Sequence, residues 1–370
     1  MLQHALSAPE KIYIDATAEC NLSCRYCYHF DSPSAVAASL PLSEWQAFFA
    51  EASSIGVMHI NISGGEPLTR PDLPELLTAV KHSRMRFDLI TNGMLVTEDL
   101  ARFVASTGRC NYVQISLDGT QAVHDSMRGD GSFAGAVRAM RLFSDIGVRV
   151  VARATIGQHN LGYLANTAEI AAAAGAVRLG AYPLAIQGLC DKPPEPFELD
   201  IPGFVDAVKE YFELCANPVG IEVRSGIATL YRRWQSSVRR TAQRDRCHQH
   251  DGHLAACNSV FRKMAVRADG MMIPCQALSN VELGRINSTP LKDAWARAEA
   301  LTSLRRRRDI PLDRFERCAA CEYMRYCIGG CAANSATDDR DPGSRAAAIC
   351  AQDIIELMGK SAGEEFLNRY

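Results

Sequence analysis

Three cysteines stand within eight residues near the start of the sequence, in the stretch "ECNLSCRYCYHF" from Glu19 to Phe30. Cys20, Cys24 and Cys27 follow a C-x3-C-x2-C spacing, and no fourth cysteine stands at local distance. Four-iron clusters are usually held by four thiolates, one per iron, so three thiolates leave one iron open. An open iron can bind a small molecule, for example through amino and carboxylate groups, much as the open position of a catalytic zinc site binds water or substrate. The stretch therefore indicates a metal site with one position left for another ligand.

A second group of cysteines lies in the last third of the sequence, where eight of the fourteen fall between Cys247 and Cys350. Cys318, Cys321, Cys327 and Cys331 follow a C-x2-C-x5-C-x3-C spacing. The N-terminus shows no secretory signal, and in a reducing compartment such a count indicates metal binding or redox chemistry rather than disulfides. A structural zinc site remains an alternative for each group, because C-x2-C pairs also bind zinc.

The elements that must position these cysteines alternate between strand-like and helix-like segments. The predicted strands are Lys11–Thr17, Val57–Ser63, Arg86–Thr91, Tyr112–Leu117, Val148–Ile156 and Ala176–Leu184. The predicted helices between them are Ser43–Ile55, Leu73–His82, Glu98–Ser106, Phe133–Ile146 and Leu161–Ala174. This alternation indicates βαβ units and a parallel sheet. Six units are fewer than the eight of a closed TIM barrel, so the predicted fold is α/β, a partial (β/α)6 barrel, with a doubly wound sheet as the alternative.

Short polar motifs end four of the predicted strands. The three-cysteine loop follows the first strand, and the next three end in "SGGEP" (Ser63–Pro67), "TNG" (Thr91–Gly93) and "SLDG" (Ser116–Gly119). In barrels and in doubly wound sheets alike, the site lies where the carboxyl ends of the strands meet. We therefore expect these distant stretches to line one rim.

Composition and charge exclude several classes of function. The 370 residues carry a net charge of −2 and are 47% hydrophobic, and the pI is near 6.5. Such a balance argues against a nucleic-acid or anionic-membrane surface. The longest apolar run, "AEIAAAAGAV", is too short to cross a bilayer. We expect a soluble, cytoplasmic protein.

The three-cysteine loop on the first βα unit resembles that of the radical S-adenosylmethionine (radical SAM) superfamily. The resemblance implies a [4Fe–4S] cluster whose open iron binds S-adenosylmethionine (SAM), which is cleaved to methionine and a 5′-deoxyadenosyl radical. Gly64, Gly65, Glu66 and Pro67 resemble the GGEP segment that receives the methionine ammonium. The family also implies further SAM contacts, with adenine near Tyr26, with the ribose at Ser116 and Asp118, and with the carboxylate at Arg128.

The seven cysteines from Cys257 to Cys350, with Gly270 five residues before Cys275, resemble the SPASM extension of peptide-modifying radical SAM enzymes. The resemblance implies two auxiliary [4Fe–4S] clusters, three clusters in all. Auxiliary cluster I takes Cys247, Cys257, Cys275 and Cys331, and auxiliary cluster II takes Cys318, Cys321, Cys327 and Cys350. Cys247 has alternatives as the fourth ligand of auxiliary cluster I. That position can stay open, or a nearby histidine can fill it: His248, His250 or His253.

The domain prediction divides the chain into residues 1–235, the partial barrel with its connecting segment, and residues 236–370, a bridge and the two-cluster SPASM domain. Cys190–Gly203, rich in proline and acidic residues, reads as a surface connection. Only nineteen residues precede Cys20, so we expect no N-terminal leader-binding module. The expected partners are a ribosomally made precursor peptide, an electron donor such as flavodoxin or ferredoxin, and a separate leader-binding protein.

The run from Ile90 to Thr120 and the stretch "AIQGLC" resemble Xye-type maturases, which form three-residue cyclophanes by joining an aromatic ring carbon to a side-chain β-carbon. Gln276 stands where sulfatase-maturing relatives have an aspartate. Thioether formation, epimerisation, quinone-cofactor synthesis, sulfatase maturation and a non-catalytic electron carrier remain alternatives. The sequence names no general base. Three carboxylates near the cysteine-bearing loops are interpreted as structural groups rather than as the base: Asp15, Glu19 and Asp269. Cys190 is interpreted as a buried thiol rather than as a substrate contact.

Overall fold

The computed structural model describes residues 5–27, 29, 38–184, 197–226, 252–254, 257, 259–321, 324, 331 and 333. Its strands form one open sheet in the order β10-β9-β8-β1-β2-β3-β4-β5-β6-β7. Seven run parallel to their neighbours in chain order: β1 (Lys11–Asp15), β2 (His59–Ser63), β3 (Arg86–Thr91), β4 (Cys110–Ser116), β5 (Val150–Ile156), β6 (Arg178–Pro183) and β7 (Glu222–Ser225). The open, partial α/β barrel expected from the sequence is confirmed.

Helices connect the parallel strands and cover one face of the sheet. They are α1 (Leu42–Ser54), α2 (Leu73–His82), α3 (Glu98–Ser106), α4 (Gln121–Arg128), α5 (Ser132–Asp145), α6 (Leu164–Ala173) and α7 (Ile201–Ala216). Side chains alternate between the two faces of a strand. On β1, Ile12 and Ile14 are therefore fully buried under the helices, whereas Tyr13 lines a cavity on the inner face. This alternation gives an apolar outer layer and a polar lumen.

The C-terminal segment extends the same sheet on the other side of β1. Strand β8 (Lys263–Val266) pairs in parallel with β1, and β9 (Met271–Ile273) and β10 (Gly284–Arg285) continue antiparallel. Its short helices are Ser259–Arg262, Leu291–Arg297, Glu299–Arg306 and Glu316–Ala319. One apolar cluster joins Ile12 of the barrel to Trp295 and Leu304 of this segment. The domain boundary at residue 235 stays a prediction, but the core runs across it.

Several elements differ from the sequence-based expectation. Helix α4 was not predicted, because it is short and buries only His124 and Met127, too few positions for a helical period. Helix α7 begins at Ile201, inside the segment predicted as a surface connection. Strands β7 to β10 were also missed, since strands of two to four residues carry almost no pattern. Among the described helices, none joins the length to the apolar character that a bilayer span requires.

Candidate active site

A cavity of 660 Å³ lies on the inner face of the sheet and is lined by residues of every strand from β1 to β8. It brings together Cys20, Cys24 and Cys27 of the first loop with Gly64, Gly65 and Glu66 after β2. Arg128, Ser116 and Tyr26 lie on the same wall, and Cys275 and Gln276 of the C-terminal segment close it from the other side. The motifs that end distant strands thus share one space, as predicted from parallel sheet topology.

The three thiols of the first loop lie close to one another. Burial raises the pKa of the Cys20 thiol to about 11, and the charges of Cys24 and Cys27 add to that rise. Burial also raises the pKa of Cys24, against the lowering effect of the Arg128 charge. Three neighbouring, partly buried thiolates repel one another unless a cation lies between them. Their positions and chemistry therefore fit a cationic iron–sulfur core.

Gly64 and Gly65 hold the cysteine loop against the end of β2. The N–H of Gly65 donates to the Thr17 carbonyl at 3.0 Å, and the N–H of Glu66 donates to the Glu19 carbonyl at 2.7 Å. A Cβ atom on Gly65 would lie 2.2 Å from the Glu19 oxygen, and one on Gly64, whose φ is +129°, would lie 2.4 Å from the Thr17 oxygen. The glycines therefore admit the loop backbone itself, a role beyond the ligand approach expected from the motif.

Glu66 is a buried carboxylate anchored at both oxygens. Its Oε1 accepts hydrogen bonds from Thr91 Oγ1 at 2.7 Å and Leu68 N at 3.1 Å, and its Oε2 accepts from Asn92 N at 2.7 Å. Burial raises the pKa of Glu66 to about 7, even though these bonds lower it. A fixed carboxylate that ionises near neutrality at a cavity wall suits a cationic ligand group.

Asp118 lies behind the cavity wall and organises two residues that face it. Its Oδ2 accepts hydrogen bonds from Arg128 Nε at 2.5 Å and from the Tyr26 hydroxyl, and its Oδ1 accepts from Thr155 N at 2.9 Å. Burial is the largest single effect on the pKa of Asp118 and would raise it, but the charge of Arg128 and the hydrogen bonds from Arg128 and Tyr26 act together with the charge of His124 to lower it to about 2. The guanidinium of Arg128 also lies over the Tyr26 ring, 5.3 Å from its centroid.

Two predicted SAM ligands do not line the cavity. Asp118 is fully buried, and its carboxylate accepts hydrogen bonds from Arg128 and Tyr26, two residues that do line the cavity; its contact with the ribose stays a prediction. Pro67 is buried and begins the turn Pro67–Thr69. Its ring fixes the backbone directly after Glu66. Tyr26, Gly64, Gly65, Glu66, Ser116 and Arg128 do line it.

The structure also gathers cysteines of the second group. Burial raises the pKa of Cys275 to about 12, and the charges of Cys331 and Cys257 raise it further, so these three thiols are neighbours. They form the described part of the predicted auxiliary set I. Cys318 and Cys321 lie on one turn, in which the N–H of Cys321 donates to the Cys318 carbonyl at 3.0 Å. Cys247, Cys327 and Cys350 lie outside the described residues, as do His248, His250 and Cys190.

Gln276 ties the C-terminal segment to the barrel rim. Its Nε2 donates to Asp15 Oδ1 at 2.8 Å and to Ser63 Oγ at 2.9 Å, at the ends of β1 and β2.

The carboxylates near the cysteine-bearing loops have structural contacts. Asp269 closes a turn with Arg267 and the N–H of Met271. Asp15 is buried, whereas Glu19 contributes its backbone to the loop contact. These hydrogen bonds support the structural interpretation of Asp15 and Asp269, and for the Glu19 carboxylate it stays a prediction.

Sequence reasoning missed four further cations that line the cavity. Arg153, Arg178 and Arg224 lie on the neighbouring strands β5, β6 and β7, and Lys263 lies on β8, beside β1. The sequence did carry a signal for them. A buried parallel strand is normally apolar, so a charged residue inside one, such as Arg153 in "VRVVARATI", indicates a polar inner face.

Comparison with known protein families agrees with this site. The model of the radical SAM superfamily matches residues 14–171, and the model of SPASM, an iron–sulfur cluster-binding domain, matches residues 257–322. The chain joins a radical SAM domain to a SPASM domain. It is accordingly a radical SAM enzyme whose cofactors are a [4Fe–4S] cluster, SAM and the further iron–sulfur clusters of SPASM.

Relatives of this radical SAM enzyme act on different substrates. AdoMet-dependent heme synthase of Methanosarcina barkeri is 28% identical over 87% of this chain and 91% of its own length. PqqA peptide cyclase of Ruegeria pomeroyi is 25% identical over 90% of this chain and 85% of its own. Streptococcus suis SuiB bound to precursor peptide SuiA is similar in fold, with a TM-score of 0.72 at 18% identity, over 94% of this chain and 77% of SuiB.

Proposed function

We propose that this radical SAM enzyme oxidatively cross-links a ribosomally made peptide, joining an aromatic ring carbon to a side-chain β-carbon in a three-residue cyclophane. One observation carries the proposal: Cys275 of the SPASM segment lines the same cavity as Cys20, Cys24 and Cys27. A cross-link removes two hydrogens from the substrate, so an electron must leave the site after the first hydrogen is taken. An auxiliary cluster beside the same cavity gives that electron an exit. The PqqA peptide cyclase relative supports the peptide as substrate class.

The residues of the first wall hold SAM in this proposal. When bound, SAM and its cluster supply the 5′-deoxyadenosyl radical that removes a substrate hydrogen. Glu66 receives the methionine ammonium, Arg128 receives the carboxylate, and Ser116 contacts the ribose. Tyr26 lies near the adenine, and Asp118 fixes the orientation of Arg128 and Tyr26 through its two hydrogen bonds. Arginine on a carboxylate forms a strong, directed contact.

The SPASM cysteines hold two auxiliary clusters in this proposal, with Cys247, Cys257, Cys275 and Cys331 on the first and Cys318, Cys321, Cys327 and Cys350 on the second. The proximity of Cys257, Cys275 and Cys331 supports the first set. A flavodoxin or ferredoxin supplies the starting electron, a separate protein presents the leader, and the reaction takes place in the cytoplasm.

A second candidate function is oxidation of an anionic tetrapyrrole. It is favoured by the heme synthase relative and by the cations that line the cavity. Sulfatase maturation is disfavoured, because Gln276 faces the cavity with an amide, which accepts no proton at neutral pH. Thioether formation and epimerisation stay alternatives that product mass separates, since epimerisation leaves the mass unchanged.

The test uses anaerobically reconstituted enzyme with dithionite, SAM and peptides encoded near the gene. We expect 5′-deoxyadenosine from the wild type and none from Cys24→Ala, together with a peptide that has lost two hydrogens. Tandem mass spectrometry then locates the bond. A modified peptide of unchanged mass would favour epimerisation, and nucleoside formed without any change in a peptide, but with oxidation of added haem precursors, would favour the tetrapyrrole.

A further inference from the structure

Four positions on neighbouring strands form one layer across the inner face of the sheet. Ser116 of β4 pairs in register with Arg153 of β5, Arg153 with Gly180 of β6, and Gly180 with Arg224 of β7. All four line the cavity. Because Gly180 has no side chain, the Tyr182 ring fits against the sheet between the two arginines. A Cβ at position 180 would lie 3.0 Å from that ring.

The charges around this layer do not balance. Five cationic side chains line the cavity, Arg128, Arg153, Arg178, Arg224 and Lys263, whereas Glu66 is the one carboxylate among the described lining residues. Behind the wall, Asp118 neutralises Arg128. Glu222 is shared, at 2.5 Å from Arg224 Nε and 3.4 Å from Arg178 Nε. Three of the four remaining cations, Arg153, Arg178 and Arg224, lie on the neighbouring strands β5 to β7.

Two of these guanidinium groups have unused donors. In the described part of the chain, no carboxylate pairs with Arg153, whose guanidinium stacks 4.1 Å from the Tyr182 ring centroid. The Nε of Arg178 is buried, and its contact with Glu222 lacks hydrogen-bond geometry, so that donor has no acceptor among the described residues. A buried donor without an acceptor is costly unless a ligand completes it.

The wall extends away from the residues assigned to SAM. Neighbouring strands are about 4.8 Å apart, so Arg153 on β5 is beside Ser116 on β4, whereas Arg224 on β7 is roughly 14 Å from it. SAM carries a single carboxylate, and Arg128 is placed to receive it. We propose that Arg153, Arg178 and Arg224 form a second anion site in the cavity, which binds a carboxylate of the substrate beside the atom that reacts.

This proposal rests on the proposed function only in that the cavity holds the substrate next to SAM. The proposed ligand group is a carboxylate that accepts two hydrogen bonds from one arginine, because a planar guanidinium offers two parallel donors. Two sources supply that group, an aspartate or glutamate of a peptide and a propionate of a tetrapyrrole. Tyr182 lies beneath Arg153, and the stacking of the guanidinium on its ring holds Arg153 in the cavity.

The test measures binding without reductant, so it does not depend on turnover. Anaerobic enzyme with its clusters and SAM is titrated with haem and with haem dimethyl ester, which lacks the carboxylates. A pool of random hexapeptides is captured by the same enzyme and sequenced by mass spectrometry. The variant is Arg153→Gln, and the matched control is Arg102→Gln, an exposed arginine on the outer helix α3 whose side chain is 63% exposed.

We expect the wild type and Arg102→Gln to bind at least one carboxylate ligand at least tenfold more tightly than its uncharged counterpart. For a tetrapyrrole, the preference appears as tighter binding of haem than of haem dimethyl ester. For a peptide, it appears as enrichment of Asp and Glu in the captured hexapeptides, so the result identifies which source supplies the carboxylate. Arg153→Gln should lose the preference. The proposal is overturned if neither ligand class shows a carboxylate preference, if Arg102→Gln loses it equally, or if Arg153→Gln weakens SAM binding to the same extent. Absence of 5′-deoxyadenosine in the earlier assay would instead count against the proposed function alone.

Discussion

At the scale of single residues, the site depends on two buried carboxylates with opposite pKa shifts. Asp118 is held ionised by Arg128, with a pKa of about 2, whereas burial raises the pKa of Glu66 to about 7. Asp118 faces a permanent cation of the protein, whereas Glu66 faces the cavity. The difference fits the roles proposed above, in which Asp118 positions Arg128 and Glu66 binds a cationic group of the ligand.

The pKa of Glu66 predicts a pH dependence of SAM affinity. With a pKa near 7, the carboxylate is mostly neutral at pH 6 and about half ionised at pH 7, and an α-ammonium stays mostly protonated over that range, so SAM should bind more tightly at pH 7, by up to about fivefold. Glu66→Gln should bind SAM weakly with little change between these pH values. Equilibrium dialysis of SAM against the anaerobic enzyme measures both. Glu98→Gln, an exposed carboxylate on α3, is the control, and an equal pH response in Glu66→Gln would show that another group titrates.

At the scale of elements, the cysteine loop is positioned by the turn that follows β2. Gly65 and Glu66 donate to the carbonyls of Thr17 and Glu19, so the loop between β1 and α1 lies against the neighbouring βα connection. The two contacts occur only because position 65 has no side chain. Cluster geometry is therefore set by packing between two connections rather than within the cysteine motif.

Gly65→Ala should displace this loop, since the new methyl group would lie 2.2 Å from the Glu19 oxygen and backbone cannot yield as a side chain does. We expect loss of iron from the first cluster, about a third of the total if all three clusters form, with the SPASM clusters retained. Iron and sulfide analysis with EPR spectroscopy measures the loss. Gly147→Ala is the matched control. Alanine at this position takes a positive φ, which is strained, but no atom lies within 4 Å of the new Cβ. Full cluster occupancy in Gly65→Ala would contradict this account.

The sequence predicted those elements whose periodicity is long enough to read. Six strands and five helices were placed within a few residues, because buried parallel strands such as Arg86–Thr91 and amphipathic helices such as Leu73–His82 carry clear patterns. It also placed the cysteines, the GGEP segment and Arg128 at one rim. It did not predict the buried position of Asp118 or the cations on β5 to β7. Both depend on which face of a strand meets which neighbour, and that follows from tertiary packing.

At the scale of the whole molecule, the C-terminal segment is built into the barrel. Trp295 is fully buried in the shared core, and its Nε1 donates to the Leu6 carbonyl at 2.7 Å. Leu6 in turn donates to Phe261 at 3.2 Å, so the first described residues lie between the two halves. We therefore expect the barrel and this segment to unfold together.

Trp295→Ala should destabilise both halves, by roughly 3–5 kcal/mol for a buried tryptophan. Denaturant unfolding of the anaerobic enzyme, followed by SAM binding and by cluster absorbance, should show both transitions moving to a lower midpoint together. Lys292→Ala, an exposed position on the same helix, should leave the midpoint unchanged. Retention of SAM binding at denaturant concentrations that release the auxiliary clusters would show two independent units instead.

The pairing of β8 with β1 has a consequence for the movement of electrons. The three-cysteine loop follows the end of β1, and Cys275 stands two residues after β9, which is separated from β1 only by β8 and runs antiparallel to both. A ladder of backbone hydrogen bonds, rather than a linker, thus fixes the distance between the two sets of cysteines. Clusters held by these two sets would exchange electrons without any domain movement, and the rate of that exchange would not change in a more viscous solvent.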